Sequence, residues 1–332
     1  ESASERLSRI ISHADLQFAA DMADPQTGQH AQGMKETISG FSSQLMFIEL
    51  ELAAMDEDGF QQALSEPDFY HFLPWLRRLR AFAPHQLETR LEQMLVERTP
   101  AGRGAWIRLF DETATALRFA FQGTEVTEAE ILNKLSEPSA DIRKEAGQSL
   151  SGVMQDNQRL FCLILNVIAK DKEIDDRWRG FKRPVSSRNL ANDVDDATVD
   201  ALASAVTARM PDIAHRYYQL KAGWMGVDEL PWWDRNAPLP GDDDRRFNWS
   251  DAQQIVTDAF AGFDQPMADV AQQFFDRNWI DAEVRKGKAS GAFSHPTVPS
   301  AHPYILMNFD GRARDVMTLA HEMGHGIHQV LA

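Results

Sequence analysis

From Asp195 to Trp224 the apolar residues Val199, Leu202, Val206, Met210, Ile213, Tyr217, Leu220 and Trp224 fall at steps of three and four. That is the period of an α-helix, so the spacing predicts a long helix with one buried stripe. Asp195 and Asp196 are N-cap candidates at its start, and Pro211, which lacks a backbone donor, predicts a kink near 208–211. Similar patterns recur along the chain. Thr127 with Glu130 three residues on is a capping box ahead of Ile131, Leu132 and Leu135, and a further helix is expected from about Ser250, with Gln253 three residues later. Pro266 starts another, carrying Val270, Phe274 and Trp279. The first hundred residues read as helices broken at Glu66-Pro67, Leu73-Pro74, Ala83-Pro84 and Thr99-Pro100-Ala101-Gly102.

Only one region reads as sheet: Ala289–Ser294 and Tyr304–Phe309, separated by the helix-breaking His295-Pro296-Thr297-Val298-Pro299. Pro231–Gly241, followed by Asp242–Asp244, is too rich in proline for a helix and is expected to form an ordered loop with packed tryptophans. The fold class is therefore mainly α, with a small β-sheet. A soft boundary between 100 and 125 divides a helical N-terminal region (1–115) from the remainder (116–332).

Composition narrows the function. The 332 residues carry 50 acidic against 34 basic side chains, a net charge of -16 that repels nucleic-acid phosphates and anionic lipid, so neither partner is expected. No apolar run reaches the ~18 residues of a membrane span. The first residues have neither the basic start nor the apolar core of a signal peptide, and a cytoplasmic location is expected. The one cysteine, Cys162, sits in the apolar run Leu160–Leu165 and is expected to be a buried small hydrophobe.

The chemistry is concentrated near the end. His321-Glu322-Met323-Gly324-His325 places two histidines four apart, so on a helix both rings project from one face about 5.4 Å apart and can reach one zinc at about 2.0–2.1 Å. Glu322 lies beside that site without being a ligand, where a base must sit to take a proton from a zinc-bound water. Val316, Leu319, Ala320, Met323, Ile327 and Val330 surround the motif at helical spacing. His328 lies about 10 Å along the axis from His321, too far to share a tetrahedral ion comfortably. The metzincin pattern is absent, since its glycine and third histidine positions hold His328 and Leu331, and no Asp or Glu follows His325. The alternative is a non-catalytic helical binding or scaffold protein with an incidental motif.

Taken together, Lys288–Phe293, His302–Phe309 and Arg314–His325 resemble the oligoendopeptidase F family, gluzincin-type relatives of thimet oligopeptidase. The resemblance implies a two-lobed helical zinc peptidase whose deep channel admits short peptides. It implies zinc held by His321, His325 and a Glu on a later helix, with Glu322 as general base. It also implies that an edge strand ahead of the metal helix pairs with the substrate backbone, for which Gly291, Ala292 and Phe293 are the candidates. The family's third ligand and its transition-state-stabilising residues have no matching positions here. The expectation is thus the N-terminal part of a longer enzyme, ending inside its metal helix and completed by a C-terminal part.

Overall fold

The structure is a computed structural model that describes residues 2–241 and 245–331; Asp242–Asp244 lie outside the described residues. In chain order, the first part holds α1 (Ser2–Ala20), α2 (Pro25–Ala53), α3 (Glu57–Ser65), α4 (Leu73–Phe82), α5 (Thr89–Arg98), α6 (Arg103–Ala116), β1 (Phe119–Phe121) and β2 (Thr124–Val126). It continues with α7 (Glu128–Lys134), α8 (Ala140–Asp156), α9 (Gln158–Trp178), α10 (Ser186–Ala191), α11 (Asp196–Arg209) and α12 (Arg216–Trp224). The last part holds α13 (Trp249–Phe263), α14 (Gln265–Asp276), β3 (Ile280–Asp281), β4 (Phe293–His295), β5 (Tyr304–Leu306) and α15 (Ala313–Leu331). No helix among the described residues is long and apolar enough to cross a membrane.

The chain forms two compact units, one of residues 1–34, 109–158 and 221–332, the other of 35–108 and 159–220.

In the second unit, α5 and α9 are tied by Arg179. Its two terminal nitrogens donate to the two oxygens of Glu92 at 2.6 and 2.9 Å, a bidentate geometry that fixes both partners. Burial pushes the Glu92 carboxyl up, but Arg179 and the Leu87 N–H together hold it below the ordinary range. The expected long helix is here α11, a π-helical turn over Pro211–His215, and α12. Asp195 caps α11 through the Thr198 N–H at 2.6 Å. The irregularity starts at the proline, as anticipated, but the buried stripe does not follow: Leu202 is 65% and Ile213 66% exposed, and Val206, Met210, Tyr217 and Leu220 are exposed as well. Periodicity identifies which face is apolar, not what covers it. Cys162 is also exposed rather than buried. Consecutive residues of a helix point all round it, and of the run Leu160–Leu165 only Ile164 is buried.

Among the described residues the first unit has two larger cores besides a small cluster of Ala14, Phe18 and Ala31. In one, the β1–β2 hairpin packs with Ile131, Leu135, Ala146 and Trp233. This hairpin is a second sheet that the sequence reading missed. Gln122 and Gly123 form its two-residue turn with φ of 49° and 80°, the left-handed pair that matches strand twist. The capping box at Thr127 and Glu130 forms as expected. Below it, the buried Arg143 donates to Asp234 at 2.6 Å and to the carbonyls of Glu137 and Pro138 at 2.7 and 2.8 Å. Of the loop tryptophans, Trp233 packs in this core while Trp232 is half exposed.

The other core positions the site. It joins α13, α14 and α15 to a three-stranded sheet of order β3-β5-β4, β3 parallel and β4 antiparallel to β5. Helix α13 is capped by Asn248, whose side chain accepts from the Asp251 N–H at 2.8 Å, rather than by Ser250. The Phe247 N–H donates to Gly311 O at 2.8 Å, which pins the preceding backbone and makes 248 the first position free to cap. Strands β4 and β5 are shorter than expected, at three residues each, and the two-residue β3 was not anticipated.

Candidate functional site

Helix α15 carries His321, Glu322 and His325. Its start is set by Asp315, whose carboxylate accepts from the Asp310 and Arg312 N–H groups, each at 2.9 Å. Arg312 in turn donates to Glu137 at 2.8 Å and to Ser136 O at 3.0 Å, tying the helix start to the loop between α7 and α8. Val316, Leu319, Met323 and Ile327 form its buried face. Gly326 lies among them because a methyl there would stand 2.6 Å from Phe274 Cζ. The glycine is thus what allows α14 to approach the helix directly behind the motif.

The opposite face holds the chemistry. His321 and His325 are both exposed, their rings perpendicular with centroids 4.8 Å apart and their Nε2 atoms 3.2 Å apart. Two nitrogens at that separation, each about 2.05 Å from one ion, subtend about 100° at it, close to the tetrahedral angle of zinc. The pair therefore fits two corners of a zinc site. Among the described residues no third His, Cys, Asp or Glu joins them. Glu322 is buried at 8% exposure, next to the pair but on the flank of the helix, and its carboxylate has no hydrogen-bond or ion-pair partner among the described residues. Its carboxylate oxygens are not among the buried side-chain atoms that lack a partner, so they still reach solvent from that flank. His328 is exposed.

The residues Gly291, Ala292 and Phe293, expected to form the edge, are placed differently. Strand β4 is indeed an outer strand of the sheet, but it begins only at Phe293. Gly291 precedes it with φ 82°, a left-handed conformation that serves a turn and that a side chain would strain. Asn308 donates to Ala289 O at 2.9 Å and to Gly291 O at 3.0 Å, and holds this approach in place.

Lys288 anchors the same segment from below. Its side chain is buried and its ammonium donates to Asp281 Oδ1 at 2.9 Å and to the carbonyls of Asp281, Glu283 and Met307. Burial pushes the lysine down from its ordinary range, against the opposing pull of Asp281. Asp281, which burial alone would raise, is held low by Arg285 and Lys288. Neither Asn308 nor Gly326 was singled out from the sequence, although a glycine inside an apolar helix is a signal of close packing. His302 stacks on Trp279 at 4.0 Å, a packing role. His295 is half buried with its Nε2 unpartnered, and burial pushes it below the ordinary histidine range.

A mainly helical fold in which one helix presents two converging imidazoles beside a carboxylate is compatible with a metallopeptidase. Comparison with known proteins agrees. Residues 134–332 match the model of peptidase family M3 and residues 51–119 that of oligopeptidase F, and the chain belongs to peptidase family M3. It is 24% identical to the group B oligopeptidase PepB of Streptococcus agalactiae over 98% of its length and 55% of that protein. It is 23% identical to the oligopeptidase PepF of Bacillus subtilis over 98% of its length and 49% of that protein. The chain thus spans about half the length of these curated relatives. Its fold is similar to an oligoendopeptidase F from Bacillus anthracis (TM-score 0.75, 16% identity, 95% of this chain, 56% of that one). It is equally similar to PZ peptidase A solved with an inhibitor (TM-score 0.76, 18% identity, 98% and 56%).

Proposed function

We propose that this chain carries the metal-binding helix of a zinc-dependent oligopeptidase that hydrolyses short peptides. His321 and His325 would hold the zinc, and the remaining part of the longer protein would supply the further ligand. The observation that carries the reading is the 3.2 Å approach of the two Nε2 atoms beside the unpartnered carboxylate of Glu322. Bound zinc supplies Lewis-acid polarisation of the scissile carbonyl and of water. Glu322 accepts the proton of the attacking water as its oxygen bonds to the carbonyl carbon, then passes that proton to the leaving amine nitrogen as the carbon–nitrogen bond breaks. The open edge of β4, with the approach at Gly291 and Ala292, orients the peptide backbone by main-chain pairing.

The test is Glu322→Gln in the full-length protein. It removes the base without touching a ligand, so stoichiometric zinc should remain while peptide hydrolysis falls by at least about a hundredfold. Hydrolysis at the wild-type rate would sink the assignment, and absence of zinc from the wild type would favour a binding or scaffold role.

A further inference from the structure

Strand register shows which backbone groups of β4 face outward. The Ile305 N–H donates to Trp279 O and the Met307 N–H to Asp281 O, both at 2.9 Å, so these alternate residues turn their backbone groups toward β3. Ser294 lies opposite Ile305. Opposed residues of an antiparallel ladder either exchange both hydrogen bonds or neither, and Ile305 has none to exchange on this side. The N–H and C=O of Ser294 therefore point away from β5, to the open edge, and by the same alternation so do those of Ala292. At the next outward position stands Pro296, which has no N–H. The edge thus presents two residues, Ala292 and Ser294, and then stops donating.

One of the four groups on this edge is already taken. Gln329, one turn beyond His325 on α15, donates from Nε2 to the Ser294 carbonyl at 3.3 Å, while its Oε1 accepts from the Ser294 hydroxyl at 2.8 Å. The two bonds close a ring that holds the amide in one orientation, with nitrogen toward the strand. Among the described residues nothing takes the Ala292 N–H or C=O.

We propose that Gln329 is a specificity-determining cap on the substrate edge: its amide occupies the outward carbonyl of Ser294, so a pairing peptide finds its acceptor at Ala292 alone. The inference rests on the peptidase reading and adds to it where main-chain pairing ends. A peptide bound at β4 accepts from Ala292 and Ser294 and donates only to Ala292. Extension past Ser294 gains nothing from the backbone, which biases the site toward peptides that end there.

The experiment uses full-length, zinc-loaded protein and an uncharged oligopeptide whose backbone nitrogens outside the scissile bond are methylated one at a time. Each methyl removes one donor, and its effect is read as the ratio of kcat/KM to the parent peptide within the same enzyme, so a general loss of folding or activity cancels. Wild type is compared with Gln329→Glu, which keeps an acceptor for the Ser294 hydroxyl but has no N–H, and with Gln329→Ala as the uncharged control. Both variants should gain one methyl-sensitive position that wild type lacks, with a penalty of about fivefold, the factor carried by one ordinary hydrogen bond. Identical methylation profiles in all three enzymes would overturn the cap while leaving the peptidase reading intact. A wild-type protein that cleaves no peptide overturns both.

Discussion

Replacing Gly326 by alanine sets two known effects against each other at the back of α15. In a helix interior alanine is favoured over glycine by about 1 kcal/mol, so an open position would be stabilised. Gly326 is not open: the new methyl would stand 2.6 Å from Phe274 Cζ and 2.8 Å from Cε1. Ordinary carbon contacts lie near 3.5–4.0 Å, so the ring or the helix must move by about 1 Å. Phe274 is fully buried and packs edge-to-face on Trp279 at 5.2 Å, so the ring has nowhere to go without displacing a second aromatic. Overpacking of this kind costs about 2 kcal/mol, which leaves Gly326→Ala destabilising by about 1 kcal/mol. Urea denaturation should show a lower midpoint at unchanged slope. The control is Phe274→Leu, which removes the distal ring atoms. In that background Gly326→Ala should become stabilising by about 1 kcal/mol, a coupling of about 2 kcal/mol across the pair. A raised midpoint for Gly326→Ala in the wild-type background, or equal effects in the two backgrounds, would refute the close-approach role of this glycine.

Two further outcomes follow from buried polar groups. Asp234→Ala leaves Arg143, with 2% of its side chain exposed, without its charge partner. That should cost about 3–5 kcal/mol in the same urea assay, and a loss below about 1 kcal/mol would show that the two carbonyls on Arg143 suffice to hold it. His295 is pushed low by burial, more than Asp15 pulls it back, so the folded state prefers the neutral ring. The unfolded chain then binds the extra proton: this contribution to stability is complete above the unfolded value of about 6.5 and is lost as pH falls toward the lowered folded value. His295→Gln should flatten the decline of the urea midpoint between pH 7 and pH 5, and an unchanged slope would mean that the ring is not protonated preferentially on unfolding.

What could be read from the sequence follows the range of the interactions involved. The meeting of His321 and His325 was legible because helix geometry alone brings residues four apart onto one face, and the capping box at Thr127 is equally local. Where two local signals compete, longer contacts decide. Asn248 and Ser250 both offer a side-chain oxygen, and the pairing of Phe247 with Gly311, 64 residues away, selects Asn248. The exposed stripe of α11 and α12 shows the same limit, since its period was read correctly and its burial was not. The β1–β2 turn escaped notice because Gln122 takes a left-handed conformation more usual for Asn or Asp. The proposed substrate edge is the most non-local feature of all. Ser294 and Gln329 lie 35 residues apart, and their meeting depends on β4 pairing with β5 in a register that turns the Ser294 carbonyl outward. A one-residue slip of that register would turn the carbonyl inward and present Phe293 and His295 instead, leaving Gln329 without its partner. The histidine pair is thus set by one helix, but what lies beside it depends on the register of a three-residue strand.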